Sequence, residues 1–260
     1  MLHLLLLLHL LLTPSLAQPS PQPTFGYHGI TGPTNWYTLN PTANHKCALG
    51  RHQSPINIVT SSITCDPNAP AISIPSQPEG AEFHNLGTTV EVPVNGTLTS
   101  VDGKVYNLAQ FHFHTPSEHA VDGEYAVLEV HFVFVAGDGA RAVVGFLIEP
   151  GEGDALLEAV LGRVGEIPQL GDATHTGPLD FAALERHLSC ADDGRYSGSL
   201  TTPPCDEDIA WHVSCRPLTI SVATYQIVKD VVKFNARFTQ NTPGEINLLE
   251  NVANKLCGSA

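Results

Sequence analysis

The sequence predicts a mainly β fold: a single domain around one large, twisted, mainly antiparallel central sheet, with a few helices at its periphery. Three observations carry this. The middle of the 260-residue chain is a succession of segments rich in β-branched and aromatic residues. Asp-Gly and Gly-Asp-Gly turn signals separate them. Amphipathic helical segments come only after them, and no internal repeat or second linker divides the chain.

The elements follow in order. Residues 1–17 form a Leu-rich run ending in Ser15-Leu16-Ala17, the pattern of a signal peptide cleaved after Ala17. Residues 18–24 are a Pro-rich linker, and 25–260 are read as one domain. "AEFHNLGTTVEVPV", "KVYNLAQFHFHTP", "EYAVLEVHFVFVAG" and "RAVVGFLIEPG" read as strands. Asp102-Gly103, Asp122-Gly123 and Gly137-Asp138-Gly139 punctuate them. "GDALLEAVLGRVGEI", "DFAALERHL" and "SVATYQIVKDVVKFN" read as helices, the last with Ser221 as N-cap.

Charge narrows the function. The chain has 12 basic against 26 acidic residues, a net −14, which argues against nucleic acid and anionic membrane as partners. No later apolar stretch is long enough for a span, and no membrane anchor is expected. Secretion follows from the leader, and the six cysteines, dispersed and without a CxxC pair, suggest disulfides rather than a cysteine metal site. Asn95-Gly96-Thr97 is a glycosylation sequon in a turn-like context.

The chemistry sits in "QFHFHTPSEH", residues 110–119. Residues i and i+2 of a strand share a face, so His112 and His114 point together. Asp122-Gly123 is a hairpin signal, and folding the chain about 121/122 sets His112 opposite His131. Three neutral imidazoles without cysteine leave a fourth tetrahedral position open, as in a catalytic zinc site. Gln110 and Glu129 each lie two residues before a histidine, on the same face, where they can accept the imidazole N–H that a metal leaves free. A lone histidine is ordinarily a satisfied surface or core residue; the spacing, the hairpin and the paired polar neighbours together argue against that reading here.

Taken together, "FGYHGITGPTNW", "GRHQSPINI", "QFHFHTPSEH", "LEVHFVF", "AVVGFLIEPG", "YSGSLTTPPC" and "FNARFTQ" resemble the α-class carbonic anhydrases, from about Phe25 to Leu249 and in the family's order. The resemblance implies the α-carbonic anhydrase fold and zinc-dependent, reversible hydration of carbon dioxide to bicarbonate and a proton, by attack of zinc-bound hydroxide. It implies that His112, His114 and His131 are zinc ligands, that Gln110 and Glu129 orient two of them, and that the Asn235 carbonyl receives the remaining N–H. Thr201 would accept from the hydroxide and donate to Glu118, and Thr202 would position bicarbonate. Val133, Val143, Leu200 and Trp211 match the apolar wall for carbon dioxide, although for Val133 and Val143 the sequence alone favours ordinary core packing. His119 is implied to be structural.

The resemblance also implies a Cys47–Cys205 disulfide anchoring the Thr201 loop. Cys190 and Cys215 flank a hairpin-like pair of strands and are paired on that ground. Cys65 and Cys257 remain, bridged or free, and a free Cys257 leaves a cross-linked homodimer open. One departure from the family stands out: Thr88 occupies the place of its proton-shuttle histidine. Threonine does not carry protons near neutral pH, so slower proton export is expected, with His84 and His28 as the nearby candidates. The alternative function is a non-catalytic binding or storage relative.

Overall fold

The computed structural model describes residues 23–62, 70–189 and 193–257. The leader, most of the linker, Cys65 and Cys190 lie outside the described residues, and with them the Cys190–Cys215 pairing. The strands are β1 (Asn57–Ile58), β2 (Ala71–Ser73), β3 (Glu82–Asn85), β4 (Val90–Val92), β5 (Thr97–Thr99), β6 (Val105–His114), β7 (Ala120–Val121), β8 (Glu124–Tyr125), β9 (Leu128–Ala136), β10 (Arg141–Pro150), β11 (Ala173–His175), β12 (Asp193–Ser199) and β13 (Glu207–Ile220). The helices are α1 (Trp36–Leu39), α2 (His45–Leu49), α3 (Ala155–Leu161), α4 (Ala182–Ser189), α5 (Val222–Val232) and α6 (Leu248–Cys257).

A 10-stranded sheet runs in the order β11-β3-β4-β6-β9-β10-β13-β12, with β5 added beside the start of β6 and β2 beside β5. Its ladders are antiparallel with one exception: β10 and β13 are parallel, so the sheet is mixed. A parallel neighbour needs a long crossover, and the chain from 151 to 206 supplies it with α3, α4 and β12. β1, β7 and β8 form a separate 3-stranded sheet.

One face of the large sheet carries the main core. Phe83, Val90, Val92, Phe111, Phe113, Phe132 and Phe146 pack there with Leu157, Val160 and Leu161 of α3, Leu184 and Leu188 of α4, and Val228 of α5. Burying each such side chain is worth about 2 kcal/mol, which explains why the amphipathic faces of these helices were readable. The Ser221 side chain accepts from the Thr224 N–H, so the N-cap of α5 is where the sequence placed it. The helix expected over 153–167 is shorter: α3 ends at Leu161 and a separate 3-10 turn covers Val164–Glu166. Gly162, with its low helix propensity, marks the break. α6 was not anticipated.

The opposite face is the polar one, and a β-bulge sets its phase. Leu108 pairs with Phe134, yet Gln110 pairs with Val133, leaving Ala109 extra. Before the bulge Tyr106 and Leu108 face the main core; after it Phe111 and Phe113 do, and Gln110, His112 and His114 turn to the other side. The expected hairpin about 121/122 needs one correction. His112 does pair with His131. The Asp122-Gly123 turn, however, closes Val121 on Glu124 in the small sheet, two residues out of register with β6 and β9. The segment between β6 and β9 is therefore an excursion that brings Glu118 and His119 back under the site.

Candidate metal centre

His112 and His114 stand on β6 and His131 on β9, with ring centroids 4.6 to 5.4 Å apart. One nitrogen from each lies within 4.8 Å of the others. Each ring has its other nitrogen held. Nδ1 of His112 is 2.9 Å from Gln110 Oε1, and Nδ1 of His114 is 2.9 Å from the Asn235 carbonyl. Nε2 of His131 is 2.7 Å from Glu129 Oε1. Each acceptor fixes a tautomer, so Nε2 of His112, Nε2 of His114 and Nδ1 of His131 are left with lone pairs toward a common point. Nε2 of His114 is buried with no hydrogen-bond partner. Such an orphan is costly unless a cation meets it, and three imidazoles with free lone pairs fit a tetrahedral dication.

Electrostatics favour the ligand state. Burial, assisted by the neighbouring rings, lowers the His112 imidazole well below its ordinary value. Burial likewise lowers His131, and takes His114 to about 4. Neutral rings at neutral pH are what metal binding requires. For Glu129, burial pushes upward, but His119 and His131 outweigh it and hold the carboxyl well below the usual range.

The partners of the rings are themselves pinned. Asn235 follows α5, and its side chain donates to the Thr88 and Phe113 carbonyls while accepting from the Thr115 N–H. Glu129 Oε1 also meets Nδ1 of His119 at 2.7 Å, and Oε2 accepts the backbone N–H groups of Glu118 and His119. His119, Glu129 and His131 thus form a second cluster of possible ligands. Both nitrogens of His119 are spent on hydrogen bonds, because its Nε2 meets the Tyr196 hydroxyl at 2.6 Å, and Nε2 of His131 is held by Glu129. It is a buried polar network that orients His131.

Glu118 is wholly buried. Its Oε1 accepts the Arg237 N–H at 2.8 Å. Oε2 lies 3.5 Å from Nε2 of His114 and 4.0 Å from Nδ1 of His131, with no hydrogen-bond partner. Burial raises this carboxyl to about 7, against the pull of His131, the Thr201 hydroxyl and the Arg237 N–H. Thr201, also buried, belongs to the loop between β12 and β13, and its hydroxyl is close enough to Glu118 to favour the carboxylate. Positive charge held among the three rings favours the ionised carboxylate.

An apolar patch adjoins the rings on the same sheet face. Gln110, Val133, Val143 and Trp211 lie in register across β6, β9, β10 and β13. Val143 and Trp211, with Ile58, Ile209 and Val213, form a small cluster against which Val133 and Leu200 pack. Trp211 rests 4.9 Å from His131 between ring centroids. The next row places Gly145 beside His131, where a Cβ would come within 3.1 Å of Glu129 Oε1. Glycine at this position lets the carboxylate lie flat against the strand.

Cys47 and Cys205 are bridged, 158 residues apart in sequence. Cys205 donates its N–H to the Thr202 carbonyl, so the bridge holds the Thr201 loop. Sequence reasoning missed three residues that brace it. Arg237 is fully buried and donates to the Ser54 and Cys47 carbonyls, and Tyr196 bonds Ser54 as well as His119. Their only advance signal was membership in the quoted stretches "GRHQSPINI", "YSGSLTTPPC" and "FNARFTQ". Thr88 lies in the turn between β3 and β4 rather than on a strand, so strand parity does not relate it to His84. Asn95 is exposed.

Residues 31–252 match the family described as "Eukaryotic-type carbonic anhydrase". A fungal alpha carbonic anhydrase from Aspergillus oryzae superposes with a TM-score of 0.85 at 43% identity, covering 89% of this chain and 99% of that one. A carbonic anhydrase of Pectobacterium carotovorum is 34% identical over 199 residues, 76% of this chain and 78% of its own. Dioscorin DB3L of Dioscorea polystachya is 33% identical over 211 residues, 79% of this chain and 76% of its own.

Proposed function

The chain belongs to the eukaryotic-type carbonic anhydrase family, and on that premise we propose that it hydrates carbon dioxide reversibly with a zinc ion held by His112, His114 and His131. The observation that carries the zinc assignment is the set of three imidazoles, each with one nitrogen fixed by a partner and the other free. When bound, zinc supplies Lewis-acid activation of water at neutral pH. The remaining work falls to the chain's own side chains.

Gln110, Glu129 and the Asn235 carbonyl keep the rings in one tautomer. Glu118, ionised, accepts only, so the Thr201 hydroxyl must turn its proton toward it. The Thr201 oxygen then faces the site as an acceptor and orients the attacking oxygen by its proton. Val133, Val143, Leu200 and Trp211 offer an apolar slot suited to an uncharged gas, and Thr202 sits in the same loop as Thr201 to position bicarbonate. A proton must leave in each turnover, and Thr88 cannot carry it near neutral pH. Secretion, with glycosylation at the exposed Asn95, fits the leader-like start and the Cys47–Cys205 bridge.

The second reading is a non-catalytic binding or storage relative, and the resemblance to a dioscorin keeps it in view. The complete set of rings, with Glu118 and Thr201 in place, favours the enzyme. Zinc content and stopped-flow carbon dioxide hydration of wild type and His114→Ala test the choice. The variant should lose both zinc and activity; activity surviving the substitution overturns the assignment.

A further inference from the structure

The register of the large sheet places four ionisable side chains in one file on the polar face. His131 pairs with His112, His112 with Glu91 on β4, and Glu91 with His84 on β3. Directly paired residues project to the same side of a sheet. Alternation agrees: Phe83, Asn85, Val90 and Val92 are buried on the core side, leaving Glu82, His84 and Glu91 on the other.

Exposure rises along the file. His131 is buried and His112 and Glu91 are intermediate, whereas the His84 side chain is 33% and its neighbour Glu82 65% exposed. Resting on the reading of the site as a carbon dioxide hydratase, we infer that His84 is the relay through which protons leave, across the gap spanned by Glu91.

The charged and titratable groups around His84 suit this task. Glu82, on its own strand, holds Nε2 at 3.2 Å, and Glu91 faces it from β4. On β11 the residue opposite is Ala173, with His175 one step further out beside Glu82. The ring therefore has a carboxylate on either side and stays in reach of solvent. Burial raises the Glu91 carboxyl while His84 draws it back, so the two charges sense one another. The proton balance is simple. Water at the site gives up one proton, which crosses intervening water to a ring nitrogen of His84. The imidazolium passes it to a base in solution and returns to imidazole. An imidazole suits both transfers because one ring nitrogen can accept a proton while the other releases one.

His28 is the competing candidate. It lines a cavity of about 400 Å³ with Tyr27, Thr88, Lys233 and Asn235, but its ring lies against Phe234 and it is not part of the paired file from His131 to His84. The test compares His84→Ala with His28→Ala in carbon dioxide hydration at low and high buffer. His84→Ala should lower kcat in weak buffer at least about ten-fold, below the usual range for positioned proton transfer because buffer competes. Imidazole should restore it, with kcat/KM and zinc content unchanged. Unchanged kcat in weak buffer, loss from His28→Ala instead, or a joint fall of kcat/KM and zinc content overturns the inference. A crystal structure of the zinc-loaded wild type supplies a reading independent of rate. Ordered waters should link His84 past Glu91 to the site, and a dry gap there overturns the inference. A wild type with zinc, the water file and no hydration would instead sink the reading of the site.

Discussion

Glu129 Oε1 lies 2.7 Å from Nε2 of His131, and this contact decides which nitrogen of the ring stays free. The same oxygen holds His119, so one carboxylate orients a metal-binding ring and ties it to the buried network beneath. Glu129→Gln keeps the shape and removes the charge. Its zinc affinity should fall roughly 10- to 100-fold, the usual effect of losing such a partner. Competition against a chelator measures this, and unchanged affinity would show that the contact does not matter for the metal.

Thr88 has a hydroxyl where a proton acceptor is wanted, in a turn whose carbonyl already accepts from Asn235 Nδ2. Thr88→His should therefore raise kcat in weak buffer and leave kcat/KM alone. Buffer titrations of the two proteins are the check; identical curves would mean that proton export does not limit turnover.

The Cys47–Cys205 bridge closes a loop of 158 residues. Loop entropy of that size corresponds to about 5 kcal/mol, with measured losses commonly about 2 to 5 kcal/mol. The double variant Cys47→Ser/Cys205→Ser should lose stability in that range in urea. Because the bridge holds the Thr201 loop, activity should fall further than the folded fraction does.

Glu158 on α3 accepts the Ser221 N–H at 2.7 Å and the Thr224 hydroxyl at 2.5 Å, joining α3 to the start of α5. Burial pushes its carboxyl up, but the Thr224 and Ser221 hydrogen bonds win and lower it. A depressed folded value means stability that is present above the ordinary carboxylate range and lost as pH falls through the folded value. Glu158→Gln should thus destabilise at neutral pH and flatten the acid limb of the stability curve. Solvent screening keeps the effect small. Parallel limbs for the two proteins would remove Glu158 from the linkage.

By itself the sequence determined what lies within a few residues: the strands and principal helices, the shared face of His112 and His114, and the placement of Gln110 and Glu129 beside their histidines. These follow from the two-residue period of a strand and the 3.6-residue period of a helix, which are local. Tertiary structure alone decided the rest. The bulge at Ala109 turns Gln110, His112 and His114 away from the core, and nothing in "NLAQFH" marks it. The carbonyl that holds His114 comes from a residue 121 positions away. Arg237, Tyr196 and Ser54 meet beneath Glu118 and His119 only because three distant segments share one buried space. Once water is excluded there, a donor or acceptor can be satisfied only by partners within reach, and which partners are within reach is a property of the packed chain.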